Sequence, residues 1–321
     1  MKRKAVTSKA KNINLRILET EQTNAASADL DCRSSLEIAR IINVEDALVS
    51  AAVKRSVPQI AQVIEWIAAA LAKGGRLIYV GTGTSGRIAA LDAAECPPTF
   101  DTHPKMVQFI IAGGPKALAE ASEASEDSRK LGRQAIAKKK PRSVDVVVGV
   151  AASGRTPFTI AAIEYARSQG AKTVAVVCNH NSPLAKAAHV SIVADVGAEV
   201  VAGSTRMKAG TAQKMILNIL TTGAMTRLGY VYGNLMVNLH LRNEKLAERG
   251  IGILEEAAGI GRGDARKLLR AAHNSVPVAL VMARAGVTRG RAVAALKQAQ
   301  GHVRKAIAMA KTAQPPKPAG S

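Results

Sequence analysis

Residues 77–100, LIYVGTGTSGRIAALDAAECPPTF, constrain this chain more than any other segment. An apolar strand at 77–80 meets the turn Gly81-Thr82-Gly83-Thr84-Ser85-Gly86 and passes directly into a helix, with Glu95 at its far end against Cys96-Pro97-Pro98. A strand-to-helix turn this tight needs positive φ, which glycine adopts without steric cost. The helix then offers unpaired N–H groups and the positive end of its dipole, where an anion is stabilised. A chain built around such a unit is directed toward an α/β fold with ligand chemistry at the strand ends.

The letters Gly81-x-Gly83-x-x-Gly86 also spell a dinucleotide fingerprint. A dinucleotide site brings an acid to the end of the second strand, about 20 residues on, for the ribose hydroxyls. Here the second strand, 106–112, ends in Gly113-Gly114, and Asp101 precedes it. With hydroxyls at Thr82, Thr84 and Ser85, the turn reads as a phosphate cradle centred on Gly83, Thr84 and Ser85.

Apolar runs at 77–80, 106–112, 145–150, 172–178 and 189–194 read as strands. Helical periodicity covers 34–46, 50–73, 86–94, 116–138, 157–169 and 204–228. Strands alternating with helices predict a doubly wound parallel sheet flanked by helices. After residue 250, glycines punctuate short helical pieces, which predicts a small helical bundle over 250–310. The expected organisation is a flexible basic tail at 1–20, a main domain at 21–249, the bundle, and a flexible tail at 311–321.

Composition narrows the function classes. There is no run of 18 apolar residues to span a membrane, and the basic start lacks the apolar region of a secretory signal. Three widely spaced cysteines, Cys32, Cys96 and Cys178, fit a reducing cytoplasm rather than a disulfide framework or a zinc site. A net charge of +21 invites a nucleic-acid reading, but aromatics are only 2% of residues, so there is little for bases to stack on. The basic residues are spread between a tail, a connector and the C-terminal part, and a positive field also serves an anionic small substrate.

A second strand-to-helix turn, Ser153-Gly154-Arg155-Thr156-Pro157, follows the strand at 145–150. Its hydroxyls and amides could complete a monophosphate site, or Ser153 and Thr156 could simply cap a helix. Glu95 and Glu126 could act as an acid and base pair if their environments separate their pKa values. On spacing alone, Glu126 reads more readily as a solvated helix-face charge, with Glu120 and Glu123 close by. The segment 203–214, with Ser204, Arg206 and Lys208, is either a third wall of an anion site or a capped helix at a dimer interface.

The motifs ECPPTF (95–100), SEDS (125–128), AASGRTPF (151–158), GAEVVAGSTRMKAGTAQK (197–214) and YGNLMV (232–237) closely resemble the N-acetylmuramic acid 6-phosphate etherases. These are sugar-isomerase-like (SIS) domain enzymes of bacterial cell-wall recycling. The resemblance runs from about residue 20 to 307, and includes Thr20-Glu21-Gln22-Thr23-Asn24, where the family usually has Glu-Gly-Ser-Asn. It implies a cytoplasmic homodimer that cleaves the D-lactyl ether of N-acetylmuramate 6-phosphate to N-acetylglucosamine 6-phosphate and D-lactate. It implies no metal or nucleotide cofactor, and neither a nucleic-acid nor a membrane partner is expected. Carried over by motif, Glu95 is the proton donor and Glu126 the second catalytic glutamate, removing the C2 proton. The phosphate is expected between Gly83, Thr84, Ser85 and Ser153, Gly154, Arg155, Thr156, with Ser204 nearby. The resemblance also implies a ubiquitin-associated-like bundle at the C-terminus. A non-catalytic sugar-phosphate regulatory protein of the SIS class is the alternative, and the retained glutamate pair argues against it.

Overall fold

The computed structural model describes residues 19–120, 125–239, 241 and 244–312. The expected tails fall largely outside this range, as does Glu123. Five strands form one parallel sheet: β1 (Leu77–Gly81), β2 (Val107–Ile111), β3 (Val146–Val150), β4 (Lys172–Val177) and β5 (Val190–Val193), in the spatial order β2-β1-β3-β4-β5. The order reverses between β1 and β3, where an open α/β sheet leaves a crevice at its carboxyl edge.

Both faces of the sheet are buried, so the strands read as near-continuous Val/Ile runs. Leu77 and Tyr79 of β1, and Val146, Val148 and Val150 of β3, point to one face. That face is covered by α2 (Val57–Ala72), α3 (Gly83–Phe100) and α7 (Lys208–Arg227). Ile78, Val80 and Val147 point to the other, under α4 (Arg129–Lys139), α5 (Pro157–Ser168) and α6 (Pro183–Ala187). Ahead of the sheet, α1 (Ser35–Lys54) starts at a capping box in which Ser34 and Glu37 bond each other's backbone N–H.

Three helix boundaries differ from expectation. The helix expected at 86–94 runs from Gly83 to Phe100, so Glu95 lies inside it and not at its end. Pro97 and Pro98 lie within the helix; each removes one ladder donor, to the carbonyls of Ala93 and Ala94, and the chain turns out only at Asp101, in the left-handed region (φ 56°). The helix expected at 116–138 is a short 3-10 turn, Gly114–Leu118, and then α4, which begins where the Ser128 hydroxyl accepts from Leu131 N–H. The break between the first two helices falls at residues 55–56 and not near 48, because Pro58 is accommodated only in the first turn of α2.

Beyond α7, a two-strand hairpin of β6 (Val231–Tyr232) and β7 (Leu235–Met236) leads to α8 (Glu244–Ala258), α9 (Arg262–Ala271), α10 (Val276–Ala285), α11 (Arg289–Gln298) and α12 (Val303–Thr312). These helices close a separate core around Leu254, Leu269, Leu280, Val281 and Ala306, which also draws in Val237 and Leu239 ahead of residue 250.

Candidate active site

The turn after β1 places Gly83 at φ +49° and starts α3 with a Gly86 N–H to Thr82 C=O bond of 3.0 Å. Thr82 makes no side-chain cap. Among the described residues no side chain caps the first N–H groups of α3, at Gly83, Thr84 and Ser85, which stand at the β1–β3 crevice, half-exposed. The turn after β3 supplies a second wall: Gly154 is at φ +65° and the Thr156 hydroxyl makes no cap to α5. Capping, one of the two readings of this turn, is thus not what Thr156 does. The Ser153 hydroxyl accepts from Arg155 N–H at 3.3 Å, and Arg155 is exposed. Gly154 is held tightly, since a β-carbon there would stand 2.3 Å from Ser182 Oγ.

Glu126 is not on a helix face. It lies half-buried in the turn ahead of α4, and its carbonyl accepts from Phe158 N–H at 3.0 Å, which ties the turn to the start of α5. Its carboxylate Oε1 is 3.3 Å from the position a β-carbon on Gly83 would occupy. Two turns whose residues Gly83 and Glu126 are 43 positions apart thus bring a carboxylate to the start of α3.

Glu95 is exposed and elsewhere on the same helix. It lies twelve residues along α3 from Gly83, which at about 1.5 Å per residue is ~18 Å. The length of α3 therefore sets the backbone of Glu95 well away from the Gly83 turn of its own chain. Beside Glu95, burial pushes the Cys96 thiol up to about 12, with the Asp92 and Glu95 charges adding to it, so Cys96 is no nucleophile.

Within the segment 203–214, the start of α7 is capped. Buried Glu199 accepts from Lys208 N–H and Ala209 N–H at 3.0 and 2.9 Å, which occupies the start of α7. Lys208 is itself buried, its ammonium paired with Glu45 at 2.5 Å, and Asn24 donates to the same Glu45 oxygen at 2.7 Å. The hydrogen bond from Lys208 holds the Glu45 carboxyl below its ordinary value in spite of partial burial. Ser204 lies in the loop leading to α7, half-exposed, its N–H bonded to Val201 C=O. The first turn of α7 packs on the cradle helix, with a β-carbon at Gly210 lying 3.5 Å from Thr84 Cγ2. Thr20, assigned from sequence to the flexible tail, is fully buried and accepts from Asn179 Nδ2 at 3.1 Å, at the carboxyl end of β4.

Sequence reasoning missed a buried acid. Asp92, on the α7 side of α3, accepts from Tyr79 Oη (2.8 Å), Asn218 Nδ2 (2.7 Å) and Thr221 Oγ1 (3.0 Å). Its signal was a charge inside the Ala-rich run AALDAAE. A cavity of about 910 Å³ lies along the outer edge of β2 against Phe109, Leu131 and Phe158, and none of the expected site residues lines it.

Two family models match the chain: the glucokinase regulatory protein N-terminal SIS domain over residues 59–167, and the SIS domain over 140–223. Among solved structures, a phosphoheptose isomerase from Francisella tularensis is 17% identical, with a TM-score of 0.46 over 60% of this chain and all of its own. N-acetylmuramic acid 6-phosphate etherase 2 of Vibrio parahaemolyticus is 50% identical over 270 residues, 84% of this chain and 90% of its own length. The N-acetylmuramic acid 6-phosphate etherase of Clostridium beijerinckii is 48% identical over 271 residues, 84% of this chain and 89% of its own. At 48 to 50% identity over 84% of its length to these enzymes, this chain belongs to the N-acetylmuramic acid 6-phosphate etherase family.

Proposed function

We propose that the protein cleaves the D-lactyl ether of N-acetylmuramate 6-phosphate, giving N-acetylglucosamine 6-phosphate and D-lactate, as a carbon–oxygen lyase of cell-wall amino sugar recycling. The observation that carries this reading is the Glu126 carboxylate standing beside Gly83 at the uncapped start of α3. The phosphate is held by the Gly83–Ser85 amides and hydroxyls, with Ser153, Gly154, Arg155 and Thr156 opposite and Ser204 at the rim.

In the open-chain form of the sugar, the C1 aldehyde acidifies C2–H. Glu126 takes that proton. The electron pair forms the C2–C3 double bond as the C3–O bond breaks, and Glu95 protonates the departing lactate oxygen. Glu95, now a carboxylate, removes a proton from water as its oxygen adds at C3, and C2 is reprotonated. Each carboxyl group contributes about 10² to 10⁴ in rate.

The working unit is a homodimer, with Glu95 reaching the partner's cradle. C2 of an open-chain hexose 6-phosphate lies about four bonds of ~1.5 Å beyond C6, roughly 8 Å from phosphorus, far less than the ~18 Å from Gly83 to Glu95 along α3. Apolar side chains left open support a second copy: Leu91 on α3 is 50% exposed, and Val44 and Leu48 on α1 are 65% and 53% exposed. Residues 21–249 form the catalytic unit and 250–310 the bundle, with the second core favouring a boundary nearer 237. Free cysteines suit a cytoplasmic setting.

The test is D-lactate release from N-acetylmuramate 6-phosphate by the purified chain. Release is expected from the parent, and Glu126→Gln is expected to lose both release and exchange of the C2 proton in a product analogue. Tight sugar-phosphate binding without turnover would overturn the reading and favour a regulatory protein.

A further inference from the structure

We infer that Asp92 is the positioning residue for Glu95, fixing the rotation of α3 so that its catalytic carboxylate is delivered correctly. The inference rests on the etherase reading and extends it to a buried group the chemistry does not touch.

Glu95 sits where its helix is weakest. Pro97 and Pro98 follow two and three residues on, so the carbonyls of Ala93 and Ala94 lose their ladder donors. The stretch that carries the catalytic group is therefore poorly held by its own backbone. One turn earlier, Asp92 supplies the missing restraint. It is 4% exposed, and its two oxygens accept from β1 through Tyr79 and from α7 through Asn218 and Thr221. Side chains three apart share one side of a helix, so any roll of α3 at Asp92 is passed on to Glu95. A carboxylate with two oxygens can receive donors from two elements at once, which an apolar side chain could not do. Buried Asp92 costs solvation, and as packing alone an Ala or Leu would serve better, as at Ala89 and Ala93 on the same helix. The phosphate cradle lies at the opposite end of α3, over two turns away, where the Glu126 carboxylate stands beside Gly83 and the first turn of α7 packs on Thr84.

That separation makes the role testable. Steady-state lactate release is measured for the full-length parent and for Asp92→Asn, Tyr79→Phe and Thr221→Val, with circular dichroism and product inhibition by N-acetylglucosamine 6-phosphate alongside. A misplacement of about 1 Å costs ~100-fold in rate. Asp92→Asn is expected to lower kcat about 10- to 100-fold, with KM and the product inhibition constant within about twofold. Tyr79→Phe and Thr221→Val should show smaller losses of the same kind, and Asp92→Glu should not restore kcat, because its longer side chain displaces the donors. Parental kcat in a folded Asp92→Asn overturns the inference, as does a KM rise that matches the kcat loss. If Asp92→Asn does not fold, the two single-donor variants decide by the same criterion. An inactive parent would instead overturn the etherase reading, so the two failures are distinguishable.

Discussion

Gly83 shows how one backbone position serves the chemistry. Its φ of +49° and the Glu126 oxygen 3.3 Å from a would-be β-carbon leave no unstrained place for a side chain. Gly83→Ala adds about 1–2 kcal/mol of left-handed strain and pushes on Glu126. We expect kcat/KM for lactate release to fall at least ~10-fold, and parental kcat/KM would show that this turn is not the cradle. Gly83 was legible in the sequence because a tight strand-to-helix turn demands glycine whatever surrounds it. Glu126 was half legible: the motif marked it, but the run of acids around it resembled a solvated helix face. Asp92 was not legible as an anchor, since its donors Asn218 and Thr221 lie over 120 residues away.

Elements followed their local signals where those were strong. All five strands fall within a residue or two of their apolar runs, because a sheet buried on both faces needs uninterrupted Val and Ile. The helix expected at 116–138 failed at its amino half, where Gly114–Leu118 is a 3-10 turn and Glu126 stands in a turn ahead of α4, which begins only at Arg129. At the amino end of β3, Asp145 illustrates an element-level restraint. Its buried carboxylate takes Arg76 N–H and Nη2 at 2.9 and 2.6 Å, and Arg142 N–H at 2.9 Å, joining the starts of β1 and β3. Burial alone would raise its pKa, but the hydrogen bonds from Arg76 and Arg142 win and hold it below its ordinary value. The folded pKa is thus below the unfolded one of about 3.9. Its contribution is fully present above pH ~4 and is lost as pH falls through the folded value. Asp145→Asn should lower stability by about 3 kcal/mol at pH 7, with a smaller loss when both proteins are denatured by urea near pH 3. An equal loss at both pH values would show that the pair carries none of the acid sensitivity.

For the whole molecule, the distance between Glu95 and the cradle decides how many chains make a working site. If each site takes Glu126 from one chain and Glu95 from its partner, two dead variants can repair one another. Glu95→Gln and Glu126→Gln, mixed after dissociation and reassociated, should form about half mixed dimers, each with one intact site of two. Activity should then return to about a quarter of the parent's, as D-lactate released per chain. No recovery in verified mixed dimers would place both glutamates in one chain's site.

The chain's own letters determined the strand pattern, the glycine turns and the motifs that carry both glutamates, because these depend on local backbone freedom and on the burial of each strand. Tertiary structure alone decided which groups meet. It set Glu126 against Gly83, gave the start of α7 to Glu199, and placed Glu95 far from the cradle of its own chain. Hydrogen bonds and approach distances between segments far apart in sequence depend on how helices pack across the sheet, and a linear pattern does not contain that information.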